Sequence, residues 1–208
     1  MVSLQPSLLD VCCQPELGPL DMGIDRIRLG AGAWVDVVPL WAKGTSDLYS
    51  RLVGTVPWRS ERRRMYDRVV DVPRLVSFYG EGSPLPDPVL DEMRTSLGCH
   101  YAEELGEPFA TVGLCYYRDG RDSVAWHGDT IGRGATEDTV VAICSLGAPR
   151  RFLLRPRGGG SSVGYELGAG DLLVMGGSCQ RTFEHSVPKT ARPSAGRVSL
   201  QFRASGVR

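Results

Sequence analysis

Val124-Ala125-Trp126-His127-Gly128-Asp129 is the stretch on which the fold turns. At the two-residue period of a β-strand, His127 and Asp129 project to one side and Gly128 to the other. His185 follows 56 residues after Asp129, and two of the chain's three histidines therefore belong to this series. Two imidazoles and one carboxylate are the donor set of a mononuclear Fe(II) site that leaves the opposite positions open. For the third donor to arrive, the strand carrying His185 must pair back beside the one carrying His127. H-x-D alone is common by chance, so the flanking sequence has to carry the reading.

Working outward, Asp171-Leu172-Leu173-Val174-Met175 follows the turn Gly168-Ala169-Gly170 and reads as a buried strand. Arg197-Val198-Ser199-Leu200-Gln201-Phe202-Arg203 alternates strictly, with arginines, serine and glutamine on one face and apolar groups on the other. Taken alone, that run is an edge strand with a solvated polar face. The runs 111–117, 123–127, 139–146, 151–155, 172–175 and 196–203, broken by Gly and Pro, predict β-strands from 109 onward. Before them, Ile27, Leu29 and 34–38 read as short strands around Gly30-Ala31-Gly32. Ser46 is set to cap a helix that Gly54 ends. A second helix has Asp87 at the N-cap and Pro88 at its first position, with Val89, Leu90, Met93 and Leu97 inward and Gly98 at its end. Residues 1–23 read as a loose lead-in. The expected class is mainly β with flanking helices (α+β), as one domain over 1–208.

With 208 residues, 42% hydrophobic and 23% charged, the chain can bury a full core. It has no apolar stretch near the ~18 residues of a membrane span and no basic, apolar leader at its start. The six cysteines include no C-x-x-C pair, which fits reduced thiols in the cytoplasm rather than a disulfide ladder or a zinc knuckle. Formal net charge is zero, which does not advertise a nucleic-acid binder. The charge is uneven, however. Between Arg51 and Arg74 seven arginines face Glu61, Asp67 and Asp71, a local excess of four, with Trp58, Tyr66, Phe78 and Tyr79 within or just beyond. Guanidinium groups for phosphates and rings for bases suit single-stranded nucleic acid; a solvated helix face is the plainer alternative. Arg150, Arg151, Arg155 and Arg157 form a second basic group beside Gly158-Gly159-Gly160.

From about Val56 to Arg203 the chain resembles the AlkB family of Fe(II)- and 2-oxoglutarate-dependent dioxygenases, closest to the branch that repairs alkylated single strands. The matching pieces, in family order, are Val72-Pro73-Arg74 with Tyr79-Gly80, Tyr117-Arg118, and Asp122 through Asp129. After them come Ser145-Leu146-Gly147 with Arg151-Phe152, Gly170 through Met175, His185 through Lys189, and the closing run. The resemblance implies a double-stranded β-helix (jelly roll) core at 109–203, preceded by an extension that recognises the nucleotide at 24–108. It implies Fe(II) on His127, Asp129 and His185, and 2-oxoglutarate as cosubstrate with O₂. It turns the arginine face of the last strand inward. Arg197 would then hold the distal carboxylate with its guanidinium fork, Tyr117 would add a hydroxyl there, and Arg203 would approach the other end. The reaction implied is oxidative dealkylation of N-alkylated nucleobases in DNA or RNA, releasing formaldehyde and succinate, by a monomer with no membrane association.

Three departures bear on that reading. Cys115 and Ser199 stand where the family places asparagines that orient the cosubstrate, which predicts weaker cosubstrate binding at an intact iron site. Thr130-Ile131-Gly132-Arg133 follows Asp129 where many members carry acidic residues near the damaged base. Candidate substrate contacts are Trp58, Arg74, Tyr79 and Arg133. The same iron site could serve a hydroxylase of a protein or small molecule, and a non-catalytic binding protein on this scaffold is the further alternative.

Overall fold

Short Val-, Leu- and Ile-rich runs between glycines and prolines can bury themselves only by pairing in sheets. The computed structural model describes residues 14–21, 24, 26–65, 68–192 and 194–207, with side chains other than those of 61–71. Its strands are β1 (Glu16–Leu17), β2 (Arg26–Gly30), β3 (Ala33–Val38), β4 (Ala42–Lys43), β5 (Arg59–Met65), β6 (Arg68–Tyr79) and β7 (Thr111–Tyr117). They continue with β8 (Val124–His127), β9 (Val141–Gly147), β10 (Arg150–Pro156), β11 (Val163–Leu167), β12 (Leu172–Gly176), β13 (Phe183–Val187) and β14 (Arg197–Arg203). The helices are α1 (Ser46–Thr55), α2 (Pro88–His100), α3 (Ala102–Leu105) and α4 (Cys179–Thr182).

The larger sheet runs β2-β3-β12-β9-β14-β7-β6-β5 and the smaller β11-β10-β13-β8, with every pairing antiparallel. From β7 onward the chain passes between the sheets at nearly every step, which is how a jelly roll winds. That winding makes β8 and β13 neighbours although 55 residues lie between His127 at the end of β8 and Phe183 at the start of β13; it also sets β14 between β7 and β9. The alternation of β14 then sorts its residues. Val198, Leu200 and Phe202 join Leu48 and Leu52 of α1 and Leu90, Met93 and Leu97 of α2 in one apolar cluster. The second cluster lies between the sheets and includes Ile143, Phe152, Leu173, Met175 and Val187. Each such side chain, fully buried, contributes ~1.5–3 kcal/mol.

The mainly β class with flanking helices is what is found, and several local expectations need correction. Gly54 and Gly98 lie inside α1 and α2 rather than ending them, because the buried apolar stripe outweighs the ~1 kcal/mol glycine penalty. Thr45, not Ser46, occupies the cap of α1. Asp87 does cap α2, its side chain accepting from Val89 N at 3.1 Å, and it also accepts from Arg51 Nε at 2.7 Å. The arginine-rich stretch is a β-hairpin, β5–β6, rather than a helix face, and β2, β3, β5 and β6 all extend the larger sheet. Within the expected lead-in, Glu16 and Leu17 pair with Lys43 and Ala42, and Leu20 is buried; residues 1–13, with Cys12 and Cys13, lie outside the described residues. Cys99, Cys115, Cys144 and Cys179 are free thiols. Among the described residues no helix is long and apolar enough to cross a membrane.

Candidate metal centre

On the smaller sheet His127 lies directly opposite His185 across the β8–β13 pair, with ring centroids 4.3 Å apart. Asp129 sits just past the end of β8. One ligand atom from each of the three lies within 4.8 Å of the other two, a spacing that a single metal ion can bridge. A side chain at Gly128 would meet Gln180 O at 2.7 Å and Phe183 O at 3.3 Å, so the residue between the two donors has room only for hydrogen. This close approach presses the triplet against α4 and the start of β13.

Hydrogen bonds set the state of each donor. His127 Nδ1 lies 2.8 Å from the carbonyl of Ala125, which can only accept; the proton is therefore on Nδ1 and the Nε2 lone pair is left for a ligand. Burial lowers the pKa of His127 and takes that of His185 down to about 3, so both imidazoles are neutral at pH 7. Burial alone would push Asp129 up, but the Arg203 guanidinium and the two imidazoles outweigh it and hold the carboxyl at about 2. Arg203 Nε donates to Asp129 Oδ2 at 2.6 Å, and Asp129 N donates to Gln180 Oε1 at 3.0 Å. Two neutral nitrogens and one ionised oxygen are the donor chemistry that Fe(II) takes.

Between the sheets a cavity of about 550 Å³ runs from this cluster along β14. Arg197, Ser199, Gln201 and Arg203 all line it, so the polar face of β14 points inward, away from water. Register places Tyr117 beside Arg197 and Cys115 beside Ser199. Arg197 is only 1% exposed. Its Nε donates to Ser145 Oγ at 2.8 Å, while both terminal nitrogens are buried without a partner. A buried donor left unmade costs ~1–3 kcal/mol and a charged one more, so the arrangement fits a site built to receive a carboxylate. The centre of the Tyr117 ring is 5.4 Å from the guanidinium carbon of Arg197 and 5.6 Å from that of Arg150; burial pushes its hydroxyl up to about 12. Gln201 Nε2 reaches Cys115 Sγ at 3.4 Å and Ser199 Oγ at 3.5 Å, and Gln201 Oε1 accepts from Arg203 at 2.8 Å.

The cavity thus gathers His127, Asp129, His185, Cys115, Tyr117, Arg197, Ser199, Arg203 and Arg74. It does not gather the other three candidates. Trp58 packs on Tyr116 at 5.4 Å and donates to Val53 O, Tyr79 packs against the outer apolar cluster, and Arg133 is paired with Glu107 and Glu137 on the surface. Most of the second basic group is absorbed internally as well. Arg150 is buried on the carbonyls of Asp119, Asp122 and Pro188, Arg155 pairs with Glu184, and Arg157 holds the carbonyls of Gln180 and Arg181. Gln180 and Gln201 are the site residues that sequence reasoning did not single out. Gln201 lay on the arginine face of its strand and was legible there; Gln180 gave no signal.

Residues 42–203 match the model of the 2OG-Fe(II) oxygenase superfamily. A rat protein, alpha-ketoglutarate-dependent dioxygenase alkB homolog 3, is 30% identical over 96% of this chain and 70% of its own length. The human protein DNA oxidative demethylase ALKBH2 is 30% identical over 68% of this chain and 60% of its own. Among solved structures, that of OsALKBH1 superposes with a TM-score of 0.61 at 15% identity, covering 86% of this chain and all of that one, a likeness of fold. With the donor set and the anion-ready arginine of its jelly roll, the chain belongs to the AlkB family and is an Fe(II)- and 2-oxoglutarate-dependent dioxygenase.

Proposed function

We propose that the protein removes alkyl groups from the ring nitrogens of nucleobases in single-stranded DNA or RNA. His127, Asp129 and His185 would hold Fe(II), and Arg197 the distal carboxylate of 2-oxoglutarate. The observation that carries this reading is the cavity that joins the three donors to the unpartnered guanidinium of Arg197. When bound, iron and 2-oxoglutarate would supply the oxidation of an N-methyl carbon by O₂, one oxygen atom going to succinate as CO₂ is lost and the other to the methyl carbon, which leaves the base as formaldehyde.

The chain's own residues do the positioning. His127 presents Nε2 because Ala125 O holds the proton on Nδ1, and Asp129 keeps Oδ1 for the metal because Oδ2 is taken by Arg203. Tyr117 and Ser145 fix the Arg197 fork, which turns a flexible cation into a directional clamp. The sheets exclude water from the inner end, with Ile143, Phe152 and Val187 lining it. A nucleobase as substrate is supported by the names of the relatives. It is supported too by the mouth, where Phe78 and Ile131 are 46% and 68% exposed. The base has to leave its stack to reach the metal, and a single strand lowers that cost. We place the protein in the cytoplasm as a monomer; the four free thiols among the described residues fit a reducing compartment.

The test is release of formaldehyde and succinate after anaerobic loading with Fe(II) and 2-oxoglutarate, followed by O₂ and single-stranded oligonucleotides each carrying one N-methylated base. Formaldehyde in step with succinate is expected, and His127→Ala should abolish both. Succinate without formaldehyde from any oligonucleotide would redirect the same centre to a protein or small-molecule substrate.

A further inference from the structure

Asp129 reaches the two imidazoles without a strand to carry it. β8 ends at His127, and the three residues after it close a tight turn, in which Thr130 N donates to Gly128 O at 2.8 Å and Asp129 is the central residue. A turn that small satisfies neither the N–H nor the C=O of its centre, and both are strong polar groups. The Asp129 carbonyl is pressed against Gly134, where any side chain would collide with it. The Asp129 N–H donates to Gln180 Oε1 at 3.0 Å, and the glutamine is only 1% exposed. Because an N–H can only donate, Oε1 must be the atom that faces it; Nε2 is then turned to Met175 Sδ at 3.8 Å.

Gln180 belongs to α4, which runs directly into β13, where His185 stands. The helix is itself anchored. Arg157 donates from Nε to Arg181 O at 2.9 Å and from Nη2 to Gln180 O at 3.3 Å, and its backbone N–H donates to Thr182 O at 2.8 Å. At the other end Ser178 Oγ donates to Ala31 O at 2.6 Å. The carboxamide therefore projects from a fixed base. Gly128 is wedged against the same base, since its missing side chain would strike Gln180 O. One short element thus meets the chain on both sides of the metal cluster. Resting on the assignment of His127, Asp129 and His185 as metal donors, we infer that Gln180 is the positioning residue of the carboxylate donor. Its carboxamide takes the place of the strand partner that Asp129 lacks and sets the carboxylate at the spacing from the imidazoles that one ion can bridge. Gln180 acts on the backbone of Asp129, and Arg203 holds the side chain at Oδ2.

Gln180→Met keeps the length of the side chain and its packing beside Met175 but offers the Asp129 N–H no oxygen; Gln180→Glu keeps an acceptor oxygen at the same reach. Co(II) takes the nitrogen and oxygen donors that Fe(II) takes, and its visible absorption reports which ligands it has. It is titrated without O₂ into the metal-free parent and both variants, and a thermal melt of each confirms the fold. Gln180→Met should bind Co(II) about 10- to 100-fold more weakly and with an altered visible spectrum. Gln180→Glu should return the parental spectrum and an affinity within about threefold of the parent. A contact that only supported the fold would lower the melting temperature and leave the spectrum and affinity of the folded protein unchanged, and that result would overturn the inference while leaving the donor assignment standing. Should Gln180→Met fail to fold, Arg157→Ala decides the matter, because it loosens α4 from an exposed side chain. That variant should weaken Co(II) about threefold, and an affinity equal to the parent's would overturn the inference. A folded parent that takes up no Co(II) would overturn both the inference and the donor assignment.

Discussion

Two buried charge clusters in this molecule look alike in the sequence and differ in one physical respect. At the first, Asp36 is fully buried; Arg26 Nε and Nη2 donate to its two oxygens at 3.0 Å each, and the Tyr101 hydroxyl donates to Oδ2 at 3.1 Å. Arg26 also reaches Glu104 at 2.8 Å and lies 3.7 Å over the ring of Trp34. At the second, Arg197 is just as buried, yet it spends one donor on Ser145 and leaves two unmade. Burial of charge is common to both. What separates them is whether the polar capacity is filled from within: the first cluster is closed and ties β2 and β3 to the C-terminal end of α2, and the second leaves two buried donors open to the cavity.

The largest effect should come from breaking the closed cluster. Asp36→Ala leaves Arg26 and the hydroxyl of Tyr101 facing a void, and removing one partner of a buried pair costs several kcal/mol. Arg26 is 32% exposed at its side chain and can turn to water, which limits the loss to ~3 kcal/mol. For a chain of this size that lowers Tm by roughly 6–12 °C. Thermal unfolding of the metal-free protein measures it, and a loss under ~1 kcal/mol would mean that the cluster is not the tie described. Affinity for 2-oxoglutarate, measured on the variant below its Tm, should stay within about twofold of the parent, a change of less than ~0.5 kcal/mol.

The same contrast explains what was legible in the sequence. The strands from 109 onward were, because Gly and Pro mark their ends and Val, Leu and Ile fill them. The meeting of His127, Asp129 and His185 was, because the H-x-D spacing brings two metal-binding residue types together and Asp129 comes to the same cluster from just past the end of β8. Arg150 was not, because an arginine satisfied by the carbonyls of Asp119, Asp122 and Pro188 has the same letter as one reaching for phosphate. Nor was Gln180, since a neutral carboxamide has no charge pattern and its partner, the backbone N–H of Asp129, lies 51 positions away. The β5–β6 hairpin was missed for a related reason: a dense run of arginines hides the two-residue period that would otherwise mark a strand.

Arg197→Met tests the open cluster, and the expected sign on stability is reversed. The affinity for 2-oxoglutarate should fall about 100-fold, ~2.7 kcal/mol, because a bidentate charge-assisted pair is lost. The metal-free protein should keep its Tm or gain a few degrees, since an unpaired buried cation is replaced by an apolar chain of similar length. Isothermal titration with 2-oxoglutarate and a thermal melt read the two quantities separately. Falling affinity together with a falling Tm would place Arg197 in the structural class with Arg26.

The smallest effect, Tyr101→Phe, probes the closed cluster through its pH dependence. Burial, and then the neighbouring Asp36 carboxylate, raises the pKa of Tyr101 well above its usual value. A group whose folded pKa is raised contributes stability that is whole below the unfolded value, ~10, and is lost as the pH climbs from there towards the folded value. The hydroxyl-to-carboxylate bond is worth ~1–2 kcal/mol, so at pH 8 the variant should be less stable than the parent by that amount. Above pH ~10 the parent loses its advantage while the phenylalanine variant has no proton there to lose, so the gap between the two should narrow. Denaturant melts of both proteins at pH 8 and pH 11 measure the difference, from which the titration of the other tyrosines cancels. A gap that stays constant across that range would show that Tyr101 keeps no proton that the unfolded chain gives up, and would remove its hydroxyl from the set of contacts that closes the cluster.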